Sequence, residues 1–382
     1  MTDMLAAAEA LAPEFARRAA EIEHARRIPH DISKQMAAAG FYRMFVPAAY
    51  GGLEVSPFEG VRVFETLARA EASCAWVAFI GATSGSVLAR LPNDFAKEIF
   101  PHPETLITGV FAPTGTADRR PGGFLVNGRW QWGSGAQNAD WILGGCMLTE
   151  DGAPLRTGSG APRSHMLAFT PQQVHFADTW HVSGLRGSGS LDYEVRDTFV
   201  PEARAVGYLI TKNPEQPLYQ FPQFAFLALG IAAVALGAAR GAIDDLVTLA
   251  STKVRAGGSV RLAERSYAQM DVAKAEATLR AARAFYYEAL DAAWQKALRG
   301  EPIPLTERRD LRLATSHAMS AAVTTVDAMY TLAGGSSVYD TSDLQRRFRD
   351  VHVATQHIMV GPSTFETVGR LLLGVETNTQ TL

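Results

Sequence analysis

The stretch "GGFLVNGRWQWGSG", residues 122–135, decides how this chain folds. Its β-branched and aromatic residues flank Asn127–Gly128, a pair that favours the tight turn of a β-hairpin. The same character recurs in "TLITGVFAP" (105–113), "ADWILGGCML" (139–148), "SHMLAFTP" (164–171) and "LDYEVRDTFVP" (191–201), with Gly and Pro between them. We therefore expect a small antiparallel β-domain over 105–205. The polar "TEDGAPLRTGSGAPRS" (149–164) reads as a surface loop between strands.

Both flanks read as helix. Residues 1–104 predict helices over about Met4–Arg27, Asp31–Ala39 (stopped by Gly40), 57–70 and 73–90. A short one follows over 91–100, behind Pro92 with Asn93 as candidate cap. Residues 206–382 carry four long helical patterns, about 221–252, 261–299, 304–333 and 341–373, the last interrupted near Gly361–Pro362. Short loops between helices of this length predict an antiparallel four-helix bundle. "FAFLALGIAAVALGAA" (224–239) has no charge, yet is shorter than the roughly 20 residues a bilayer requires. It reads as a central buried helix, in which Gly230, Gly237 and Gly241 let neighbours approach the backbone. The fold class is mainly α with a middle β-barrel or sandwich.

Composition narrows the function. The chain has 382 residues and a formal charge of −3, so no basic field awaits nucleic acid or an acidic membrane. Cys74 and Cys146 stand far apart, and no signal peptide is evident; the expectation is a cytoplasmic protein. No metal spacing occurs, because His352 and His357 are five apart and lie about 140° around a helix. Neither G-x-G-x-x-G nor a P-loop is present. Three Gly/Ser loops remain: "QWGSGAQNADW" (131–141), "GLRGSGS" (184–190) and "LAGGSSVYD" (332–340). The last could turn its amides toward an anion at the entry to the final helix. "GSG" at 187–189 is not a nucleophile elbow. Trp132, two residues from Ser134, offers a flat apolar face beside a hydroxyl, suited to an aromatic heterocycle, or it is simply a core tryptophan.

The whole chain resembles the acyl-CoA dehydrogenase superfamily, acyl-CoA dehydrogenase-like in its helical N-domain, middle β-domain and C-terminal four-helix bundle. "FAPTGTAD", "GRWQWGSGAQNADWILGG", "TWHVSGLRGSGSLDYEVRDTFVP" and "AGGSSVYDTSDLQRRFRDVHVATQH" carry the resemblance. It is most similar to the two-component flavin-dependent monooxygenases, including the oxygenase components for 4-hydroxyphenylacetate and phenolic steroids, dibenzothiophene monooxygenase and indole-3-acetate hydroxylase. True dehydrogenases carry a glutamate in a Tyr-Glu-Gly-Thr segment; the corresponding "TQHIMVGP" (355–362) has no carboxylate. They also carry Arg-x-x-Phe-Gly near the adenine half of FAD; "STKVRAGGS" (251–259) keeps Arg255 and loses Phe-Gly.

The resemblance implies reduced FMN or FAD delivered by a separate NAD(P)H-flavin reductase. Its C4a-hydroperoxide, formed with O2, would pass one oxygen to a small aromatic substrate. Alternatives within the fold are an acyl-CoA dehydrogenase and an N-oxygenase acting on an amine or amino sugar. The implied roles are these. Ser134 faces flavin N5, and Trp132 and Gly133 pack on the ring. Phe111, Ala112, Pro113 and Gly115 line the ring through backbone groups. Ser188 and Ser190 border the pocket. Gly334, Gly335 and Ser336 approach the flavin phosphate of a neighbouring subunit in a homotetramer or dimer. His357 takes a proton from a phenol or indole N–H, or protonates the leaving flavin oxygen, with a pKa near neutrality. His352 is structural or at a subunit contact. Relatives often have histidine where Asn138 stands.

Overall fold

In the computed structural model, residues 3–91, 93–158, 160–207, 216–254 and 256–382 are described. Pro92 and Arg255, named above, lie outside them.

The N-terminal helices are α1 (Met4–Arg17), α2 (Ala19–Ala25), α3 (His30–Ala38), α4 (Pro57–Ala70), α5 (Ala72–Gly85) and α6 (Asn93–Ile99). Side-chain oxygens set several starts: Asp3 accepts from Leu5 and Ala6 amides, Ser56 from Glu59, and Glu71 from Cys74. The single helix expected over Met4–Arg27 is two. The chain breaks at Arg18, whose guanidinium ties Glu21 and Asp31 together.

The middle strands are β1 (Ile107–Arg120), β2 (Gly123–Gly133), β3 (Trp141–Glu150), β4 (Ala153–Pro154), β5 (Ser164–Phe169), β6 (His175–Ala177), β7 (Leu191–Pro201) and β8 (Ala205–Gly207). They form one eight-stranded sheet of order β6-β7-β2-β1-β3-β5-β8, with β4 on β3. Two expectations need correction. The sheet is mixed, because β3 runs parallel to β1. The segment 134–140 carries the chain past the end of β1, so β3 enters beside β1 in the same direction. The hairpin turn is also not at Asn127–Gly128. β1 and β2 pair up to Arg120↔Gly123, leaving Pro121–Gly122 as the turn, with Gly122 at φ +81°. Asn127–Gly128 instead sits at a bulge against β7, where the Asn127 amide and Asp197 exchange two hydrogen bonds of 3.0 and 2.8 Å. A β-carbon at Gly128 would fall 2.6 Å from the Trp130 ring, so the glycine makes room for that ring. Trp130, fully buried, stacks on Tyr193 and donates to the Gly145 carbonyl at 2.8 Å.

The C-terminal helices are α7 (Gln223–Thr252), α8 (Ser266–Leu298), α9 (Leu305–Ala333), α10 (Asp343–Ala354) and α11 (Pro362–Leu372). α7 is apolar and long enough to cross a membrane, but 89% of its most apolar window is buried among other helices. Its glycines act as expected. A β-carbon at Gly230 would sit 2.1 Å from the Phe79 ring, and one at Gly237 2.3 Å from the Glu65 carbonyl oxygen. α4 and α5 therefore lock onto α7, and this contact fixes the N-terminal helices against the bundle. The fourth pattern, 341–373, resolves into α10 and α11 around the connector 355–361.

Candidate active site

Two strand irregularities lie side by side. The β1–β3 register jumps between Val110 and Gly115, which frees Phe111, Ala112, Pro113 and Thr114 from pairing with β3. The β2–β7 register jumps between Trp130 and Gly133. Bulges of this kind re-aim side chains and recur beside active sites. Here the second turns Trp132 outward, at φ +66° and 67% exposed. Trp132 is thus not a core tryptophan; Trp130 fills that role. A bare indole face beside a strand bulge is a surface that a planar heterocycle would cover.

Just past Trp132 the chain dives inward to Ser134. Trp76 of α5 donates from Nε1 to Ser134 Oγ at 3.1 Å. Ser134 Oγ lies 2.7 Å from Ser190 Oγ, which lies 2.7 Å from Ser188 Oγ. All three serines are buried. Because Ser134 already accepts the indole proton, its own O–H can be given either to Ser190 or outward to a ligand.

Trp76 also links this chain of hydroxyls to the bundle. Its ring packs edge-on against the imidazole of His357, with centroids 5.9 Å apart. So the folded chain brings Ser134 and His357, more than two hundred residues apart, into contact with one indole. His357 is not on a helix. α10 ends at Ala354, and His357 caps the short turn Ile358–Val360, so the helical angle between His352 and His357 does not apply. The Met359 amide donates to His357 Nδ1 at 3.2 Å, which puts the proton of the neutral ring on Nε2. Burial, reinforced by the nearby Arg312 cation, pushes its pKa down to about 4. That corrects the expected value near neutrality. His357 is a neutral imidazole that offers an N–H.

The loop holding Ser188 and Ser190 is anchored from α10. The Asp350 carboxylate accepts the Leu185 amide at 2.6 Å, and Leu185 holds a left-handed φ of +49°. A β-carbon at Gly184 would collide with the Arg349 carbonyl, 2.2 Å away. Asp350 is buried, and burial together with Glu71 raises its pKa to about 7.

Comparison with known proteins places this geometry. The acyl-CoA dehydrogenase N-terminal domain model matches residues 4–100, and the C-terminal domain model residues 229–362. The indole-3-acetate monooxygenase of Pseudomonas putida is 36% identical over 359 residues, covering 94% of this chain and 90% of that protein. The chain belongs to the two-component flavin-dependent monooxygenase branch of the acyl-CoA dehydrogenase superfamily. The crystal structure of the HsaA monooxygenase from M. tuberculosis superposes with a TM-score of 0.89 at 26% identity, covering 100% of this chain and 99% of that one. XiaF from Streptomyces, solved with FADH2 and glycerol, gives 0.89 at 26% identity over 98% and 95%.

In this oxygenase component the other sequence candidates separate from the cluster. Gly334, Gly335 and Ser336 end α9, and the Lys253 ammonium binds both the Ala333 carbonyl and Ser336 Oγ, the latter at 2.8 Å. The loop is therefore poised at the C-terminus of α9, not at the entry to α10. His352 pairs with Asp327 at 2.9 Å and packs on Phe348. Asn138 donates to the Ile28 carbonyl at 2.8 Å, stitching the β-domain to the N-terminal helices. Among the described residues no cluster of three metal-ligating side chains occurs. Sequence reasoning missed Trp76, which lies in the uniformly apolar "ASCAWVAFIG" where nothing distinguishes its N–H. It also missed Arg312 and Asp350.

Proposed function

We propose that this protein oxygenates a small heteroaromatic acid of the indole-3-acetate kind. In this reading a separate reductase supplies the reduced flavin and O2 is the co-substrate. The observation that carries it is the convergence of Ser134, Trp76 and His357 beside the exposed Trp132 and the β1 bulge at 111–114. The P. putida relative, named for indole-3-acetate, supplies the substrate class. Reduced FAD is the first flavin to test, since XiaF was solved with FADH2. Reduced FMN is the second.

The residues present fit a flavin ring. Trp132 offers its exposed face, and the β1 bulge offers backbone that steps out of register with β3. Ser134 offers a hydroxyl whose proton is uncommitted. When bound, reduced flavin supplies the electrons that activate O2 for transfer of one oxygen atom. Ser134 would hydrogen-bond the ring edge and hold it in register. Trp76 fixes the Ser134 hydroxyl and walls the site with an apolar surface that excludes water. His357, with its proton at Nε2, would donate a hydrogen bond to an oxygen that gathers negative charge during oxygen transfer. The base role for His357 is the weaker one, because Nδ1 is already taken by the Met359 amide. The segment 355–362 contains no carboxylate, which disfavours α-proton removal from an acyl thioester.

The test supplies photoreduced FAD, and separately FMN, with isotopically labelled O2 and indole-3-acetate. The expected product carries one labelled atom. Flavin consumption with no labelled product from indoles or phenols would refute the reading. A labelled N-oxide from amines alone would redirect it to N-oxygenation.

A further inference from the structure

The bundle buries several arginines, and most of them meet a carboxylate. Arg346 pairs with Asp343 at 2.5 Å and Arg347 with Asp245 at 2.5 Å. Arg312 differs. It is 4% exposed, and among the described residues no carboxylate lies within 4.0 Å of it. Its donors reach only neutral acceptors: the Phe224 carbonyl at 3.4 Å, Met359 Sδ at 3.4 Å and Thr364 Oγ1 at 3.1 Å. Among the described residues its Nε has no partner. Burying a guanidinium without an anion is costly, and the long Phe224 contact and the weakly accepting Met359 thioether can both be exchanged for a better acceptor.

Its location gives the anion a place. Met359 lies two residues beyond His357, and the Arg312 charge is felt at the His357 ring. Phe224 and Met359, which Arg312 touches, are only partly buried. A fixed cation thus stands beside the proton donor, on the bundle helix α9. Guanidinium forks match carboxylates bidentately.

We propose that Arg312 is the specificity residue that receives the carboxylate of the substrate, orienting the ring carbon to be oxygenated toward the site between Ser134 and His357. The assignment rests on the aryl-acid reading above. Arg90 is the rival. It also lacks a carboxylate among the described residues, donates to the Tyr219 carbonyl at 2.9 Å, and lines a small cavity with Ser86, Gln223 and Phe226.

The experiment measures equilibrium binding of indole-3-acetate and its uncharged analogue 3-methylindole, by quenching of protein fluorescence. It compares wild type, Arg312→Gln, Arg312→Lys and Arg90→Gln. Arg312→Gln should weaken the acid roughly ten- to hundredfold and leave 3-methylindole unchanged. Arg312→Lys, which keeps the charge and the stem, should recover part of the loss and shows that the site still folds. Equal weakening of both ligands would make Arg312 a packing residue and overturn the proposal. So would unchanged acid binding, an acid-selective loss in Arg90→Gln instead, or no acid binding by wild type. Oxygen transfer to 3-methylindole is followed in the same wild-type protein. Its presence separates a failed carboxylate site from a failed oxygenase reading.

Discussion

His357 gives the sharpest prediction, because its geometry selects between two chemistries. If the reaction needed an imidazolium, a pKa near 4 would leave only about one enzyme in a thousand active at pH 7. Single-turnover oxygen transfer would then quicken about tenfold for each unit of pH lowered from 7 toward 5. A neutral imidazole donating from Nε2 needs no added proton. The rate should be level from pH 8 to about 5, then fall as Nδ1 is protonated and the Met359 amide loses its acceptor. Replacing His357 with Phe keeps a ring against Trp76 and removes the donor. The expected loss in the oxygen-transfer step is about 10²–10³-fold, typical of one oxyanion-stabilising donor. His357→Gln, which keeps an N–H at similar reach, should recover most of it. The assay mixes flavin-reduced enzyme and substrate with O2 across pH and quantifies hydroxylated product. A tenfold-per-unit rise toward acid, or a Phe variant as fast as wild type, would refute the neutral-donor role.

The remaining predictions concern the surrounding framework. Ser134→Ala leaves the buried Trp76 N–H without an acceptor, and should lower unfolding free energy by about 1–3 kcal/mol in denaturant titrations. It should also raise the fraction of reduced flavin oxidised without product. Trp132→Ala should weaken flavin binding while leaving the melting temperature within a degree or two, because the side chain is mostly exposed. Asp350, with its folded pKa raised to about 7 from an ordinary value near 3.8, binds a proton in the folded state that the unfolded chain releases. It therefore costs stability as pH climbs through that window. Asp350→Asn keeps an oxygen for the Leu185 amide, so its melting-temperature gain over wild type should grow between about pH 4 and 7 and stay level above. A pH-independent difference would contradict the buried-charge account.

The three-block architecture was legible because each block has its own period. Apolar residues at helical spacing flank a run of β-branched and aromatic strands, and the uncharged "FAFLALGIAAVALGAA" is buried by α4, α5 and α9. Local signals misled where tertiary packing overrode them. Asn127–Gly128 has hairpin chemistry, but the Trp130 ring claims the space over Gly128 and the turn moves to Pro121–Gly122. The parallel β1–β3 pairing comes from a crossing at 134–140 that no strand pattern encodes. Ser134, Trp132 and His357 could be named from the chain. Their relation could not, since it passes through Trp76, a residue with no distinguishing neighbours. The protonation state of His357 depends on burial and on Arg312, forty-five positions away. The same holds for Asp350, whose partner Glu71 belongs to another domain.

In the proposed function Ser134, Trp76 and His357 shelter a flavin while oxygen is passed to a heteroaromatic acid. The most direct test rapidly mixes the protein, loaded anaerobically with reduced FAD, with oxygenated buffer and follows flavin absorbance. The account predicts a transient species distinct from both reduced and oxidised flavin. It should outlive the oxidation of free flavin, and indole-3-acetate should hasten its decay with matching yield of hydroxylated product. Direct conversion to oxidised flavin at the free-flavin rate, with FAD and FMN alike and without product, would contradict it.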